Sequence, residues 1–494
     1  MTHQPEAHST RHVLRKPHWP IGNIEYGRTH LLPVSVYRKL TEHRRLKLPS
    51  RPVEAFGPPA GEIELPVMYP LSGAKDTPLH DMLVLLNLAR GRKARRILEI
   101  GTFRARTTYA LHLNCPGAAI VSYDIEILDS PFRGELLKTA NVQLRNASFA
   151  ASAETLRKEP RFDFIFVDAS HRFEHVIEDS RLALELVDPN GIILWHDYRA
   201  NDFPFDEGMR VPEALNIISE KTPIYAIPDT YLAAHAPNAK NQEQRLFTQV
   251  PDADSVSAVP GWLKAYRKTK HWFKTDLLAV SVYRRLFFER RRLKLASRPA
   301  EVFGPPAGKI KLPAFYPLFM EQDTPLNDLL VVLNLAKGRK ARRILEVGTY
   351  HARTTYALYL NCPEASIVSY DIQTLDSPYR RALHSADNVQ FVQASFSASA
   401  SELRKEPPFD LIIVNGSHRL GDVIADSKLA LERLSKEGII IWHGYCLNNY
   451  YTKEFRVPEA LDIIRQSLPV FTVDGGMCFD TTCAVHMPSF SSHS

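Results

Sequence analysis

The chain alternates between segments with apolar residues at helical spacing and short apolar runs that end in glycine or in a polar residue. The first pattern predicts helices that pack on a core, and the second predicts buried strands. The sequence Asp-Pro-Asn-Gly at residues 188–191 predicts a turn before one strand. In the first half of the chain, helices are predicted over residues 81–90, 107–114, 173–187 and 211–220, and strands over residues 95–101, 119–125, 142–148, 162–168, 191–197, 224–228 and 231–235.

This order of strands and helices predicts an α/β fold, with a mostly parallel sheet covered by helices on both faces. In such sheets, ligands bind at the carboxyl ends of the strands, near the point where the strand order reverses. Polar side chains lie at this end of several predicted strands: Glu99, Asp124, Asp168, His196 and Asp197. We therefore expect the functional residues to lie there.

The second half of the chain repeats the first at an offset of 247 residues. RRILEIGTFRARTTYALHLNCP, which contains Gly101, returns as RRILEVGTYHARTTYALYLNCP, which contains Gly348, and LLPVSVYRKL returns as LLAVSVYRRL. A period of this length indicates a duplicated domain. The predicted organisation is a poorly ordered N-terminal tail (1–30), a first domain (31–237), a linker (238–276), a second domain (277–488) and a C-terminal tail (489–494).

The composition is that of a globular protein, since 44% of the residues are hydrophobic and 24% are charged. The 62 basic and 55 acidic residues give a net charge of +7, much of it in residues 38–51 and 284–298. No aromatic-rich nucleic-acid motif accompanies these basic runs, so we interpret them as solvated helix faces and expect no nucleic-acid partner. The sequence shows no apolar run long enough to span a membrane, no signal peptide and no Cys-x-x-Cys pair, and a cytoplasmic protein is predicted.

A cofactor motif follows the first strand of the parallel sheet in each copy. Gly101 lies where this strand turns into a helix, so that the backbone can approach a ligand and the helix offers free N–H groups. Asp124, which is 25 residues after Glu99, ends the next strand, where a carboxylate can accept hydrogen bonds from both hydroxyls of a ribose. The candidate cofactor residues are Glu99, Gly101, Thr102, Asp124 and Ser148 in the first copy and Glu346, Gly348 and Asp371 in the second.

Three motifs occur in order at predicted strand ends: LEIGTFRARTT at residues 98–108, DASHRF at 168–173 and HDY at 196–198. Over residues 81–237 they resemble class I S-adenosylmethionine-dependent methyltransferases, in the variant whose first motif reads E-x-G-T-x-x-G-x-[ST]-T. The resemblance implies a Rossmann-like fold for each copy and S-adenosylmethionine as the cofactor. Ala105, and Ala352 in the second copy, replace the last glycine of that motif. NAD is disfavoured, because it normally requires a complete G-x-G-x-x-G.

Two carboxylates, Asp168 and Asp197, end neighbouring predicted strands and are expected to converge beside the cofactor. Adjacent carboxylates repel unless a proton or a cation lies between them, and Mg²⁺ suits such an oxygen-rich setting. The resemblance, which extends to catechol and macrocin O-methyltransferases, also implies a Mg²⁺ site. His171 and His196 are candidates for a general base, and the alternative for each is a histidine of the core or of a loop.

The second copy provides an internal comparison for these two carboxylates. It has Asn415 in place of Asp168 and Gly444 in place of Asp197, while the hydrophobic pattern around them is kept. The loss of both together indicates that the two aspartates act as a unit in the first copy. It also predicts that the second copy does not share the chemistry of the first.

Two functions are open from the sequence. In the first, the N-terminal copy methylates a hydroxyl oxygen of a small acceptor held by residues 199–209, with or without a metal ion, and the degenerate second copy packs against it. In the second, the chain is a non-catalytic S-adenosylmethionine-binding or scaffold protein built from two decayed methyltransferase domains. The complete set of Asp168, His171, His196 and Asp197 favours the enzyme.

Overall fold

The computed structural model describes most of both copies. It covers residues 46–67, 77–199, 210–237, 295–318, 323–445, 456–474 and 481–489. Several predicted segments lie outside these residues: the N-terminal tail (1–30), the repeated segments at 31–40 and 277–286, the linker (238–276), and most of the two basic runs, of residues 199–209 and of the C-terminal tail.

The first copy contains a seven-stranded, mostly parallel sheet and one separate strand. The strands are β1 (Gly61–Val67), β2 (Arg96–Ile100), β3 (Ala119–Asp124), β4 (Val142–Asn146), β5 (Phe162–Val167), β6 (Val187–Trp195), β7 (Tyr225–Ala226) and β8 (Ala233–His235). The sheet order is β4-β3-β2-β5-β6-β8-β7. Strands β2 to β6 run parallel and β8 is antiparallel to β6. The order reverses between β2 and β5, which marks the ligand-binding end of such a sheet.

Helices cover both faces of this sheet. They are α1 (Leu79–Gly91), α2 (Arg106–Asn114), α3 (Pro131–Leu136), α4 (Ala153–Leu156), α5 (Phe173–Leu186) and α6 (Val211–Ser219). Successive side chains of the central strands point to opposite faces. Phe164 and Phe166 belong to an apolar cluster with α1 and β1, whereas Ile165 and Val167 pack with α5 and α6. The apolar runs in the sequence are continuous because both faces of the strands are buried.

The second copy repeats this architecture, so the fold is α/β with two Rossmann-like sheets. Its strands are β9 (Ala296–Pro299), β10 (Gly308–Ala314), β11 (Arg343–Val347), β12 (Ser366–Asp371), β13 (Val389–Gln393), β14 (Phe409–Val414), β15 (Leu434–Trp442), β16 (Phe471–Asp474) and β17 (Ala484–His486). Its helices are α7 (Leu326–Gly338), α8 (Arg353–Asn361), α9 (Pro378–Ala382), α10 (Ala400–Leu403), α11 (Leu420–Arg433) and α12 (Val457–Ile464). The sheet order is β13-β12-β11-β14-β15-β17-β16-β9. None of the helices within the described ranges is long and apolar enough to cross a membrane.

Each predicted helix and strand of the first copy corresponds to an observed element, with small shifts at the ends, but the predicted turn at residues 188–191 is placed differently. Strand β6 begins directly after α5, at Val187, and pairs there with Phe162. The pairing then shifts so that Phe164 lies opposite Ile192. The four residues therefore form a bulge within the strand instead of a turn before it.

The two copies meet through β1 and β10, which pair antiparallel with Glu64 opposite Lys311. These two residues are counterparts at the 247-residue offset, so a pseudo-twofold axis passes between the strands. Glu62 lies 3.2 Å from Lys311, and Glu64 lies 3.5 Å from Lys309. Helices α1 and α7 also contact each other, and one apolar cluster contains residues of both copies.

Candidate active site

A cavity of about 1000 Å³ opens at the carboxyl ends of the strands in the first copy. Loops after β2, β3, β4, β5 and β6 contribute to its wall, as does the start of α1. Cavities that bind small molecules are typically ~300–1,000 Å³. The lining includes all predicted site residues of the first copy except Glu99, namely Gly101, Thr102, Asp124, Ser148, Asp168, His171, His196 and Asp197.

Gly101 allows the backbones of two strand ends to touch. Its φ is +108°, and a Cβ atom at this position would lie 2.1 Å from the carbonyl oxygen of Asp168. Its N–H donates to the carbonyl of Tyr123 at 2.8 Å, on the next strand. The glycine is therefore required by the protein's own backbone, in addition to the predicted approach of a ligand.

Glu99 lies beneath the loop, outside the cavity wall. It is fully buried, and its Oε2 accepts hydrogen bonds from Ser122, at 2.5 Å, and from Thr108. Burial raises the pKa of Glu99 to about 8, although both hydrogen bonds oppose this shift. The carboxyl group is therefore mostly protonated at neutral pH and joins β2, β3 and α2 under the loop. Glu346 in the second copy is buried in the same way, and burial raises its pKa to about 7.

Asp124 lies in the cavity wall and also holds the loop. Its Oδ2 accepts a hydrogen bond from the N–H of Phe103 at 2.7 Å, and its Oδ1 accepts one from the N–H of Glu126 at 3.1 Å. Each oxygen keeps a lone pair for a ribose hydroxyl. Thr102 and Ser122 are hydrogen-bonded through their side chains at 2.6 Å. Ser148 follows β4 on the far side of Asp124 and is exposed. In the second copy, Asp371 accepts an equivalent hydrogen bond, from the N–H of Tyr350 at 2.8 Å.

The loop keeps its path in spite of the missing motif glycine. Ala105 is buried with φ +61°, and Ala352 has φ +63°. A left-handed backbone costs a residue with a Cβ atom about 1–2 kcal/mol. Both copies therefore retain a conformation that favours glycine at a position where glycine has been lost.

Asp168 and Asp197 converge on His196. The Nδ1 atom of His196 lies 3.2 Å from Oδ1 of each aspartate, and its Nε2 lies 3.0 Å from Asp81 of α1. His171 completes the group, with its Nε2 atom 2.7 Å from Oδ2 of Asp197. Both ring nitrogens of His196 thus face carboxylates, whereas His171 engages only one of its nitrogens in this network.

The histidines and the aspartates shift each other's ionisation. Burial acts to lower the pKa of His171 and of His196. The carboxylates overcome burial, so that the pKa of His171 is raised and that of His196 is raised well above its ordinary value. Burial would raise the pKa of Asp197, but the two histidines lower it. A protonated His196 between Asp168 and Asp197 therefore relieves the repulsion between their carboxylates.

Asp197 adopts a left-handed backbone conformation, with φ +62°. Aspartate tolerates this region better than most residues, but still at a cost in energy. Its counterpart Gly444 has φ +90°, which glycine adopts readily. The first copy therefore keeps a carboxylate where the backbone favours glycine, as residues at functional sites often do.

The donor set of this cluster fits a divalent cation. Asp168, His171 and Asp197 each offer one ligand atom, and the three atoms lie within 4.8 Å of one another. Carboxylate oxygens suit Mg²⁺, and an added imidazole also suits first-row transition metals. The predicted pair of metal ligands, Asp168 and Asp197, lies within this group.

The second copy keeps the frame of this cluster without its carboxylates. His443 lies 3.0 Å from Asp328, the counterpart of Asp81. Asn415 and Gly444 supply no negative charge, and burial together with His443 lowers the pKa of His418 to about 4. The contact between this histidine and an aspartate of the helix before the first parallel strand (α1 or α7) is therefore common to both copies. The contacts with Asp168 and Asp197 are specific to the first copy.

Four residues near the cavity were not predicted from the sequence. Asp81 is buried and accepts a hydrogen bond from the N–H of Tyr231 at 2.9 Å; a lone acid in an otherwise apolar helix could have indicated it, because a buried carboxylate requires partners. Thr77 donates to Asp168 at 3.3 Å. Asp179 of α5 and Asn327, from the second copy, also line the cavity.

Comparisons with known proteins give one family match and several similar solved structures. A family model described as a methyltransferase domain matches residues 90–198 and 345–445. Similar solved structures include the O-methyltransferase TomG of Streptomyces achromogenes, involved in tomaymycin synthesis and in complex with SAM (21% identity, 33% of this chain and 81% of that chain, TM-score 0.28). Another is an O-methyltransferase of Bacillus cereus in complex with SAH (19% identity, 33% of this chain and 84% of that chain, TM-score 0.28). A third is the SAH-bound methyltransferase PaMTH1 of Podospora anserina (22% identity, 33% of this chain and 79% of that chain, TM-score 0.27). No curated protein matches the chain.

Proposed function

Because the chain belongs to the methyltransferase domain family through residues 90–198 and 345–445, we propose that it transfers a methyl group from S-adenosylmethionine to a hydroxyl oxygen of a small acceptor. The first copy carries the reaction. The observation that supports this most directly is one cavity lined both by the cofactor loop and by the cluster of Asp168, His171, His196 and Asp197.

The residues of the loop would hold the cofactor with its methyl group towards the cluster. Asp124 would accept hydrogen bonds from the ribose hydroxyls, and Gly101 and Thr102 would lie along the chain of the cofactor. The acceptor would then enter from the side of Thr77, His80 and Asn327. Holding the two reactants in this order accounts for much of the rate enhancement that such an enzyme needs.

S-adenosylmethionine, when bound, supplies an electrophilic methyl group, which passes to the acceptor oxygen as the sulfur keeps the electron pair of the broken bond. The hydroxyl proton of the acceptor goes to His171. The side chain of His171 is 36% exposed. In the neutral imidazole, Nε2–H donates to Asp197, and the free lone pair of Nδ1 takes the proton. His196 is unsuited to this step because carboxylates face both of its nitrogens; it orients Asp168 and Asp197 instead.

A divalent cation such as Mg²⁺ is the alternative means of activating the hydroxyl. Asp168 and Asp197, joined by His171, would hold it, and the cation would lower the pKa of the bound hydroxyl. In that case His171 is a ligand and cannot be the base. Chelation distinguishes the two alternatives. EDTA stops turnover only if a cation is required, and adding Mg²⁺ or Mn²⁺ then restores turnover.

The second copy serves the first in this proposal and does not catalyse the same reaction. Its counterpart site lacks the carboxylates of Asp168 and Asp197. It therefore lacks both the histidine–aspartate pair of the general base and the carboxylate ligands for a metal. Its contribution is to pack against β1 and α1 and to complete the acceptor end of the cavity. A cytoplasmic location remains a prediction from the sequence.

The experiment that tests the proposal uses the full chain, methyl-labelled S-adenosylmethionine and a panel of small hydroxylated acceptors. Asp168→Asn and Asp197→Gly, which imitate the second copy, should abolish labelling of any acceptor that the wild type modifies. Both variants should still bind S-adenosylhomocysteine. Full activity in either variant would exclude the proposed roles of the carboxylates, and absence of cofactor binding by the wild type would favour a non-catalytic scaffold.

A further inference from the structure

Asp179 lies in the cavity wall although no step of the proposed reaction uses it. It belongs to α5, which packs against the 3-10 turn Ala150–Ser152 after β4. Its relative exposure is 9%, and it shares this part of the wall with Ser148 and Phe149. The carboxyl group thus stands beside the end of β4, away from the cluster at the ends of β5 and β6.

In the second copy, the counterpart of this carboxyl group is satisfied by the protein itself. Asp426, the counterpart of Asp179, accepts hydrogen bonds from the side chain and the backbone of Ser397. The counterpart of Ser397 in the first copy is Ala150, which has no hydroxyl group. Among the described residues, no hydrogen bond reaches Asp179, although burial raises the pKa of both aspartates to about 6.

Because Asp179 is largely buried and no hydrogen bond reaches it among the described residues, a donor bound in the cavity would stabilise its carboxyl group. The proposed cofactor would bring one. Asp124 would hold its ribose, and the sulfur end would point to Asp168 and Asp197. The base must then extend in the opposite direction, past Asp124, towards Ser148 and α5.

We propose that Asp179 accepts a hydrogen bond from the exocyclic amine of the adenine ring and so selects adenine in the cofactor. This inference rests on the proposed function, because it needs S-adenosylmethionine in the first copy. The end of β4 offers less for this amine, since Oδ1 of Asn146 already accepts from the N–H of Ile127 at 3.0 Å. Ala150 is part of the arrangement, because a serine there would occupy the carboxyl group as Ser397 occupies Asp426.

The test measures binding of two ligands to the full chain by calorimetry. They are S-adenosylhomocysteine and S-inosylhomocysteine, in which a carbonyl oxygen replaces the amine. A hydrogen bond to a charged group predicts that the wild type prefers the adenine ligand by about 10- to 100-fold. Asp179→Asn can donate to the carbonyl oxygen as well as accept from the amine, so the preference should fall to within about threefold.

Two further variants keep the test decisive. Ala150→Ser should weaken binding of S-adenosylhomocysteine severalfold by supplying Asp179 with the partner seen in the second copy, and it adds only one oxygen atom. Asp426→Asn is the matched control in the second copy and should leave the preference unchanged. Thermal unfolding of each variant separates a lost contact from a lost fold.

The outcomes also separate this inference from the proposed function. If the wild type binds neither ligand, the proposed function fails and the inference fails with it. If the wild type binds S-adenosylhomocysteine but its preference for adenine is unaffected by Asp179→Asn and Ala150→Ser, the role of Asp179 is wrong while the cofactor site stands.

Discussion

At Gly101 the main chain of one strand end lies against the main chain of the next, with no room for a side chain. We expect Gly101→Ala to lower the free energy of unfolding by about 3 kcal/mol, because the new methyl group would overlap the carbonyl oxygen of Asp168. The midpoint of thermal unfolding measures this. A Cβ atom at Gly348 would lie 2.1 Å from the carbonyl oxygen of Asn415, so Gly348→Ala should lower the unfolding midpoint in the same way. A variant as stable as the wild type would show that the two strand ends do not pack as described.

Ala105→Gly is the matched control at the other motif position. Relief of the left-handed alanine should stabilise the loop by about 1–2 kcal/mol, and loss of a buried methyl group should cost about 0.8 kcal/mol. The two effects largely cancel, so we expect the unfolding midpoint to move by only a few degrees. The large difference between these two positions cannot be read from the motif, which treats both as glycines.

Glu99 should make stability depend on pH. Because burial raises its folded pKa to about 8, the carboxyl group is protonated in the folded chain and ionised in the unfolded chain between about pH 4.5 and 8. Stability from this group is therefore fully present below about pH 4.5 and declines as the pH rises to about 8, by up to ~1.4 kcal/mol per pH unit. Urea unfolding of the wild type and of Glu99→Gln at pH 5, 6, 7 and 8 measures it.

The Glu99→Gln variant should lose this part of the slope, and Glu346→Gln should lose a similar part that ends near pH 7. Identical slopes in the wild type and in Glu99→Gln would mean that the carboxyl group is not protonated in the fold. No sequence pattern predicted this role for Glu99, because its burial depends on Ser122 and Thr108 closing over it.

At the scale of elements, the sequence was sufficient for the parallel sheet and insufficient for β1. The strands of the sheet are buried on both faces and give unbroken apolar runs, so their order along the chain predicted the fold and placed Asp168 and Asp197 at neighbouring strand ends. β1 contains Pro66 and has a glutamate at two alternate positions, Glu62 and Glu64. Its partner β10 lies about 250 residues away along the chain. Local periodicity carries no information about such a pairing.

The pairing of β1 with β10 has an electrostatic preference that can be tested. β1 presents Glu62 and Glu64 to Lys309 and Lys311 of β10, so each strand should prefer the other to a second copy of itself. The double exchange Glu62→Lys/Glu64→Lys should destabilise the chain by about 1–2 kcal/mol, since partly exposed ion pairs contribute modestly and like charges repel.

Adding Lys309→Glu and Lys311→Glu to this variant should restore most of the lost stability. The measurement is a double-mutant cycle on the unfolding midpoint at low and high salt, with the expected coupling reduced at high salt. If the fourfold variant is no more stable than either double variant, the charges do not contribute to the pairing.

At the scale of the whole molecule, the second copy extends the cavity of the first. Asn327 lies at the start of α7 and contributes to the cavity wall, which also includes Thr77 and His80. We expect Asn327→Ala to raise KM for the acceptor several-fold and to leave the affinity for S-adenosylhomocysteine unchanged. Asn415→Ala, in the second copy's own counterpart site, should change neither. A loss of cofactor affinity in Asn327→Ala would place that residue at the wrong end of the cavity.

The central claim is that the strand ends of the first copy bind S-adenosylmethionine around Asp124. Calorimetric titration of S-adenosylhomocysteine into the full chain tests it most directly. We expect binding by the wild type, an affinity about 10- to 100-fold lower in Asp124→Ala through loss of charge-assisted hydrogen bonds, and unchanged affinity in Asp168→Asn. No binding by the wild type, or equal binding by Asp124→Ala, would contradict the claim.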